Sequence, residues 1–253
     1  MKLTLSVDQP NALLAVRLCD VSPTGASTLI SRGLLNLTHR DSHEQPTPLE
    51  PGTQYRITVR LNAVAHSLPA GHCWRIAISP TYWPWAWPSP KPVTLRLLTG
   101  EASQLVLPVR LPREDDARLP PFAEPETAPP LEVQEVRKPG RTYTVQHDVV
   151  GNRYQLVDGR DGGCKVIVAN GLESESYNSN TYTIVEGDPL SAQVECERMI
   201  RVGRGDWQIR IETKSVMTAD AELFYVTNML EAFEGEGRVF ARTWYFSVPR
   251  DLV

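Results

Sequence analysis

The densest ionisable cluster in the chain is THRDSHE, which holds His39, Arg40, Asp41, His43 and Glu44. On a helix, His39 and His43 would share a face, as the two histidines of a metalloprotease do. That motif places a glutamate directly after the first histidine, and here Arg40 stands in its place. A cationic neighbour also disfavours a metal. The tract runs on into QPTPLEPG, so it reads as a strand end entering a turn, with structural or interface hydrogen bonding as its work. Contact with a ligand through His39, Arg40 and His43 is the alternative.

Nucleophilic chemistry has even less support. A serine hydrolase on an α/β scaffold needs a GxSxG elbow, whose tight strand-to-helix turn exposes the hydroxyl. No such pentapeptide occurs; GAST at Gly25 and GLESES at Gly171 lack the second glycine. DGRDGG, Asp158 to Gly163, has incomplete acidic spacing for a calcium loop and no closing glutamate. GRGD (Gly203 to Asp206) and EGEGR (Glu234 to Arg238) read as turns between strands, and no phosphate-binding loop is present. The four cysteines, Cys19, Cys73, Cys164 and Cys196, stand far apart with no CxxC pair. They read as partly buried thiols in a reducing cytoplasm, without metal or cofactor.

The other candidate is SPTYWPWAWPSP, Ser79 to Pro90, which spends half of the chain's six tryptophans. Trp83, Trp85 and Trp87 alternate as on one face of a strand. Pro80, Pro84, Pro88 and Pro90 deny that strand most of its ladder bonds, which confines it to an edge or a stiff loop. Core filler, a pre-ordered anchor against another protein surface, and a sugar-stacking platform are all open to Tyr82, Trp83, Trp85 and Trp87.

These residues must be positioned by strands. In YRITVRLN, Tyr55, Ile57, Val59 and Leu61 alternate with polar neighbours. HCWRIAIS, PVTLRLL and QLVLPVRL repeat the pattern, the last through Leu105, Leu107 and Val109. ALLAVRLCDV reads as a further strand. Turns are signalled by PTG at Pro23, EPG at Glu50 and PAG at Pro69. Leu111 to Glu132 is rich in proline and acid and reads as an extended connector. Beyond it come TYTVQHDV, NRYQLVDGR, CKVIVANG, TYTIVEG, SAQVECE, DWQIRIETKSV and TWYFSVPR, with DGRDGG predicted as a hairpin turn. AELFYVTNMLEAFEG fits helical spacing at Leu223, Val226, Leu230 and Phe233, but its aromatic and β-branched content favours a strand.

The 253 residues therefore predict two all-β domains. The net charge of −4 and the scattered 26 Lys and Arg give no basic stripe for nucleic acid. No apolar run approaches the roughly 20 residues of a membrane span. Asp8 and Pro10 interrupt any signal-peptide core.

With those pieces in view, the segment from AVRLCDV through GLLNLTHR, PLEPG and AGHCWRIAIS to YWPWAWPSP resembles the C-terminal jelly-roll domain of the cocaine esterase and X-prolyl dipeptidyl-peptidase family, the CocE/NonD serine hydrolases. IVEGDPLSA, GRGDWQIRIE, LEAFEGEGRVFAR and VPRDLV resemble the C-terminal extension of longer members. The resemblance implies a jelly-roll (galactose-binding-like) β-sandwich over residues 1–111, lacking its opening strands, a linker over 112–131, and a second antiparallel β-sandwich or barrel over 132–253. It implies an ester- or amide-cleaving parent whose triad lies in an α/β-hydrolase domain that no residue here matches, so no catalytic residue carries over. The implied role is non-catalytic, in domain packing and assembly. The partner is that hydrolase domain or a second copy of the chain, and a free-standing binding module for carbohydrate or peptide is the alternative.

Overall fold

Alternating apolar residues over a core that exists on one side only dictate the N-terminal architecture. The structure, a computed structural model, describes all 253 residues. Its first six strands are β1 (Lys2–Val7), β2 (Leu13–Val21), β3 (Ser27–Asn36), β4 (Tyr55–Thr58), β5 (Cys73–Ser79) and β6 (Leu95–Leu98). They form two three-stranded antiparallel sheets, in the orders β4-β1-β6 and β3-β2-β5. Leu3, Leu5 and Val7 of β1 meet Leu14 and Val16 of β2 in one cluster, joined by Leu37, Leu49, Ile57 and Val59. A full jelly roll has eight strands. Here the edge strand β5 leaves Trp74 and Ile76 each 37% exposed.

Two glycines show how closely the strands approach. A Cβ on Gly33 would stand 2.3 Å from the Arg60 carbonyl oxygen, so β3 can lie against residues 59–60 only without a side chain there. Gly25, Gly52 and Gly71, at the three turns expected from PTG, EPG and PAG, all have positive φ.

After β6 the alternation in QLVLPVRL does not become a strand. Only Gln104 bridges to Lys2, and residues 105–113 are irregular. Leu105 and Leu107 are half-buried, but Pro108 and Pro112 cannot donate to a ladder, which breaks the pairing the pattern predicts. The connector carries one 3-10 turn, Glu114–Arg118, and is otherwise without regular structure up to Leu131.

The remaining strands are β7 (Val133–Arg137), β8 (Gly140–Asp148), β9 (Arg153–Ile167), β10 (Leu172–Val185), β11 (Asp188–Arg204), β12 (Trp207–Ala219), β13 (Leu223–Glu234) and β14 (Gly237–Pro249). They build one antiparallel meander in the order β14-β13-β12-β11-β10-β9, with β7 and β8 sharing the outer edge of β9. The two ends of this path are not paired with each other. AELFYVTNMLEAFEG is the strand β13, because its neighbours on both sides supply ladders. GRGD and EGEGR are the β11–β12 and β13–β14 turns, with Gly205 and Gly235 at positive φ.

DGRDGG is not a hairpin. It lies inside the 15-residue strand β9, and its last glycines form a bulge where the partner strand changes from β8 to β7. Gly163 has φ +72°, and a Cβ there would stand 2.4 Å from the Arg137 carbonyl oxygen. The tight approach of β7, not chain reversal, is what needs glycine.

The chain is all-β throughout, and its core is uneven. In the C-terminal sheet the buried apolar residues are Cys164, Ala192 and Ala219, whereas the N-terminal sheets bury large aliphatics. Truncation of Leu14, which is fully buried in that cluster, is expected to cost about 2–5 kcal/mol, measured by urea denaturation of Leu14→Ala against the unaltered chain.

Candidate functional site

The four prolines place the YWPWAWP run in a loop after β5, not in a strand. The Ala86 amide donates to the Tyr82 carbonyl at 3.1 Å, closing a single turn. That curl breaks the period-two face expected of the tryptophans. Trp83 and Trp87, four residues apart, come edge to face at 5.2 Å between ring centroids. Both turn towards the C-terminal sheet: Trp83 meets Tyr182 of β10 at 6.3 Å, and Trp87 meets Phe224 of β13 at 5.6 Å, each nearly perpendicular. Burial raises the Tyr182 hydroxyl above its ordinary pKa. Trp85 is 61% exposed, and the Arg32 guanidinium lies 3.6 Å from its ring centroid. Tyr82 is half-buried beneath Arg17 and Arg32, at 5.2 and 5.9 Å.

The C-terminal tail closes the same junction. Arg250 is 3% exposed and lies over Phe224. It donates to the backbone oxygens of Pro88 (2.5 Å), Asp220 (3.1 Å) and Val253 (3.0 Å). Burial lowers its pKa from the ordinary arginine value. Two residues on, the Leu252 carbonyl accepts from Asn36 Nδ2 at 2.9 Å and Thr38 Oγ1 at 3.0 Å. The chain end is thus pinned to the N-terminal sheets by backbone acceptors and neutral or cationic donors.

The THRDSHE tract lies beside that pin. Leu37–His39 form a 3-10 turn capped by Asn36. His39 and His43 face each other through Nδ1 atoms 3.4 Å apart. Arg40 bonds the Leu37 and Thr47 carbonyls and stacks over Tyr55 at 4.6 Å. No group of three or more His, Cys, Asp or Glu is arranged to hold a metal ion. The structure does not bring His39, Arg40 and His43 to the aromatic loop.

Sequence reasoning missed a second histidine cluster. Asp20, on β2, accepts from His66 Nε2 at 2.9 Å and from His72 Nδ1 at 2.6 Å, and His66 packs against Trp74. The three residues are 46 and 52 positions apart in the chain, and nothing local signals their meeting. Also unforeseen were Tyr182, Phe224 and Arg250; only the bulk of their side chains hinted at a partner.

The geometry is that of an all-β protein whose aromatic loop packs its rings against the C-terminal sheet. Residues 1–110 match the family model of the X-Pro dipeptidyl-peptidase C-terminal non-catalytic domain. No curated protein matches the chain. No helix is long and apolar enough to cross a membrane.

Arg250→Met leaves three backbone oxygens without their donor and is expected to cost about 2–4 kcal/mol in urea denaturation. It should also speed limited proteolysis of the 111–132 connector. Asp20 gives a second test. Burial pushes its carboxyl up, but the bonds from His72 and His66 prevail and hold it below the usual carboxylate range. A depressed carboxylate contributes stability above its unfolded pKa and loses it as pH falls through the folded value. The stability gap between the unaltered chain and Asp20→Asn should therefore persist down to about pH 4 and close below it, read by denaturation across pH.

Proposed function

We propose that this chain is the non-catalytic β portion of a CocE/NonD-type serine hydrolase, of the ester- or X-Pro-amide-cleaving class, and that it serves domain packing and assembly. The match of residues 1–110 to a C-terminal non-catalytic peptidase domain carries this reading. Under it, residues 1–111 form the jelly roll, 112–131 the linker and 132–253 a second β domain, working in a reducing cytoplasm with four free thiols. Tyr82, Trp83, Trp85 and Trp87 act as interface residues, and the proline-stiffened backbone lowers the entropic cost of presenting them. The partner is an α/β-hydrolase domain. Its contact area is supplied by apolar side chains left open on the N-terminal sheets, including Leu29, Leu34, Trp74 and Ile76, since a large apolar patch rarely stays unpaired.

Fluorophosphonate labelling read by intact mass is expected to give no adduct on this chain beside a labelled hydrolase control. A separately produced α/β-hydrolase domain of the same family should bind it in sedimentation velocity and gain activity. A stoichiometric serine adduct, or absence of any association, would defeat the reading.

A further inference from the structure

The strand registers of the C-terminal sheet line up a transverse row of arginines. Arg141 of β8 is the direct cross-strand partner of Arg160 on β9, Arg160 that of Asn178, and Asn178 that of Arg198 on β11. The row continues through Thr213 and Leu230 to Arg242 on β14. Directly opposed residues share one face of a sheet, and like charges placed so are unfavourable. All four arginines are exposed. Arg141 has Asp158 at 3.4 Å, whereas Arg160, Arg198 and Arg242 form no ion pair. Glu195, Glu197, Glu212 and Glu231 do not help them: by register these acids lie on the opposite face, paired with Lys214, Arg210 and Arg238.

The arginine face is also the one that bears Tyr182 and Phe224, so the aromatic loop covers one end of it. At the other end, beyond the row, Ile200, Ile211 and Phe240 share the face and are exposed. A cationic row bordered by an apolar patch fits a segment that carries acids and large apolar side chains. This chain holds one. Residues 119–132 contain Glu124, Glu126 and Glu132 and no cation, together with Leu119, Phe122 and Leu131. Those acids form no ion pair, and those apolar side chains are exposed. Five prolines keep the segment extended. Its end is anchored at the sheet, where the Val168 amide donates to the Glu132 carbonyl at 3.0 Å. From there Arg242, the farthest of the row, lies five strands across and eight residues along, a diagonal of about 36 Å. Fourteen extended residues reach about 43 Å.

We propose that residues 119–132 close over this face as a strap, with their glutamates on the arginine row and Phe122 against Ile200, Ile211 and Phe240. The structure shows the open arrangement, in which the segment is exposed. Exposed ion pairs are individually weak, but a tethered segment meets its site at an effective concentration on the order of millimolar, so modest contacts suffice. The proline-stiffened backbone has little entropy to lose on docking. Closure supplies carboxylates to the opposed Arg141 and Arg160 and covers the apolar patch with a ring. The inference does not depend on whether a hydrolase domain is the partner.

The test uses the full chain carrying Arg160→Lys or Arg198→Lys, so that a water-soluble carbodiimide can join an amine at that position to a glutamate of the strap. Both arginines are exposed and both changes keep the charge, so the variants should retain the circular dichroism of the unaltered chain; either one carries the test alone. Peptide mass mapping of the monomer fraction is expected to show links from Glu124, Glu126 or Glu132 to one or both positions. Adding Phe122→Ala should lower their yield about ten-fold, the worth of burying that ring. Sodium chloride at about 0.5 M should lower it as well, by screening the arginine row. No link to either position, links only between two chains of a dimer, or a yield that Phe122→Ala or salt leaves unchanged would each overturn the proposal.

Discussion

Four prolines in eleven residues, Pro80 to Pro90, set the constraint from which the junction of the molecule follows. Without amide hydrogens at those positions, the segment cannot join a ladder in the interior of a sheet. It must leave the sheet at the end of β5, and there it curls so that Trp83 and Trp87 face one way and Trp85 does not. The loop then supplies the aromatic surface that the C-terminal sheet lacks opposite Tyr182 and Phe224. A large sheet whose own buried residues are mainly alanine, serine and glycine has little else with which to hold its neighbour.

The chain end completes the same junction by different physics. Arg250 is almost wholly buried and meets the carbonyl oxygens of Pro88 and Asp220, the backbone oxygen of Val253 and an aromatic face. These three backbone oxygens and the ring satisfy its donors without any acidic side chain. Because one of those carbonyls is that of Pro88, the aromatic loop and the C-terminal tail are one structural unit. Polar contact and ring packing therefore act on the same few residues, and the intervening connector can remain exposed without loosening the whole.

Charge is distributed differently on the far side of the loop. Arg17 and Arg32 are held side by side by strand register, which the core residues Leu14, Val16 and Leu18 on the opposite face of β2 impose. The register that buries those aliphatics leaves no freedom to separate the arginines. Tyr82 and Trp85 relieve part of the conflict by cation–π contact. What they cannot supply is an acceptor for the Arg17 Nε, which stays buried without a partner.

The sequence by itself determined the all-β class, the turns at Gly25, Gly52, Gly71, Gly205 and Gly235, and the strand character of Leu223–Glu234, because period-two alternation and glycine's access to positive φ are local properties. The specific combination of motifs in the first 110 residues likewise pointed to the family that the comparison returned. Tertiary structure alone decided that DGRDGG is a bulge, since its glycines answer to Arg137 and Ser176 on other strands. It alone brought Asp20 to His66 and His72. The orientation of the tryptophans was also beyond the sequence: alternation along a chain predicts a shared face only where a ladder holds the backbone extended, and the prolines had removed the ladder.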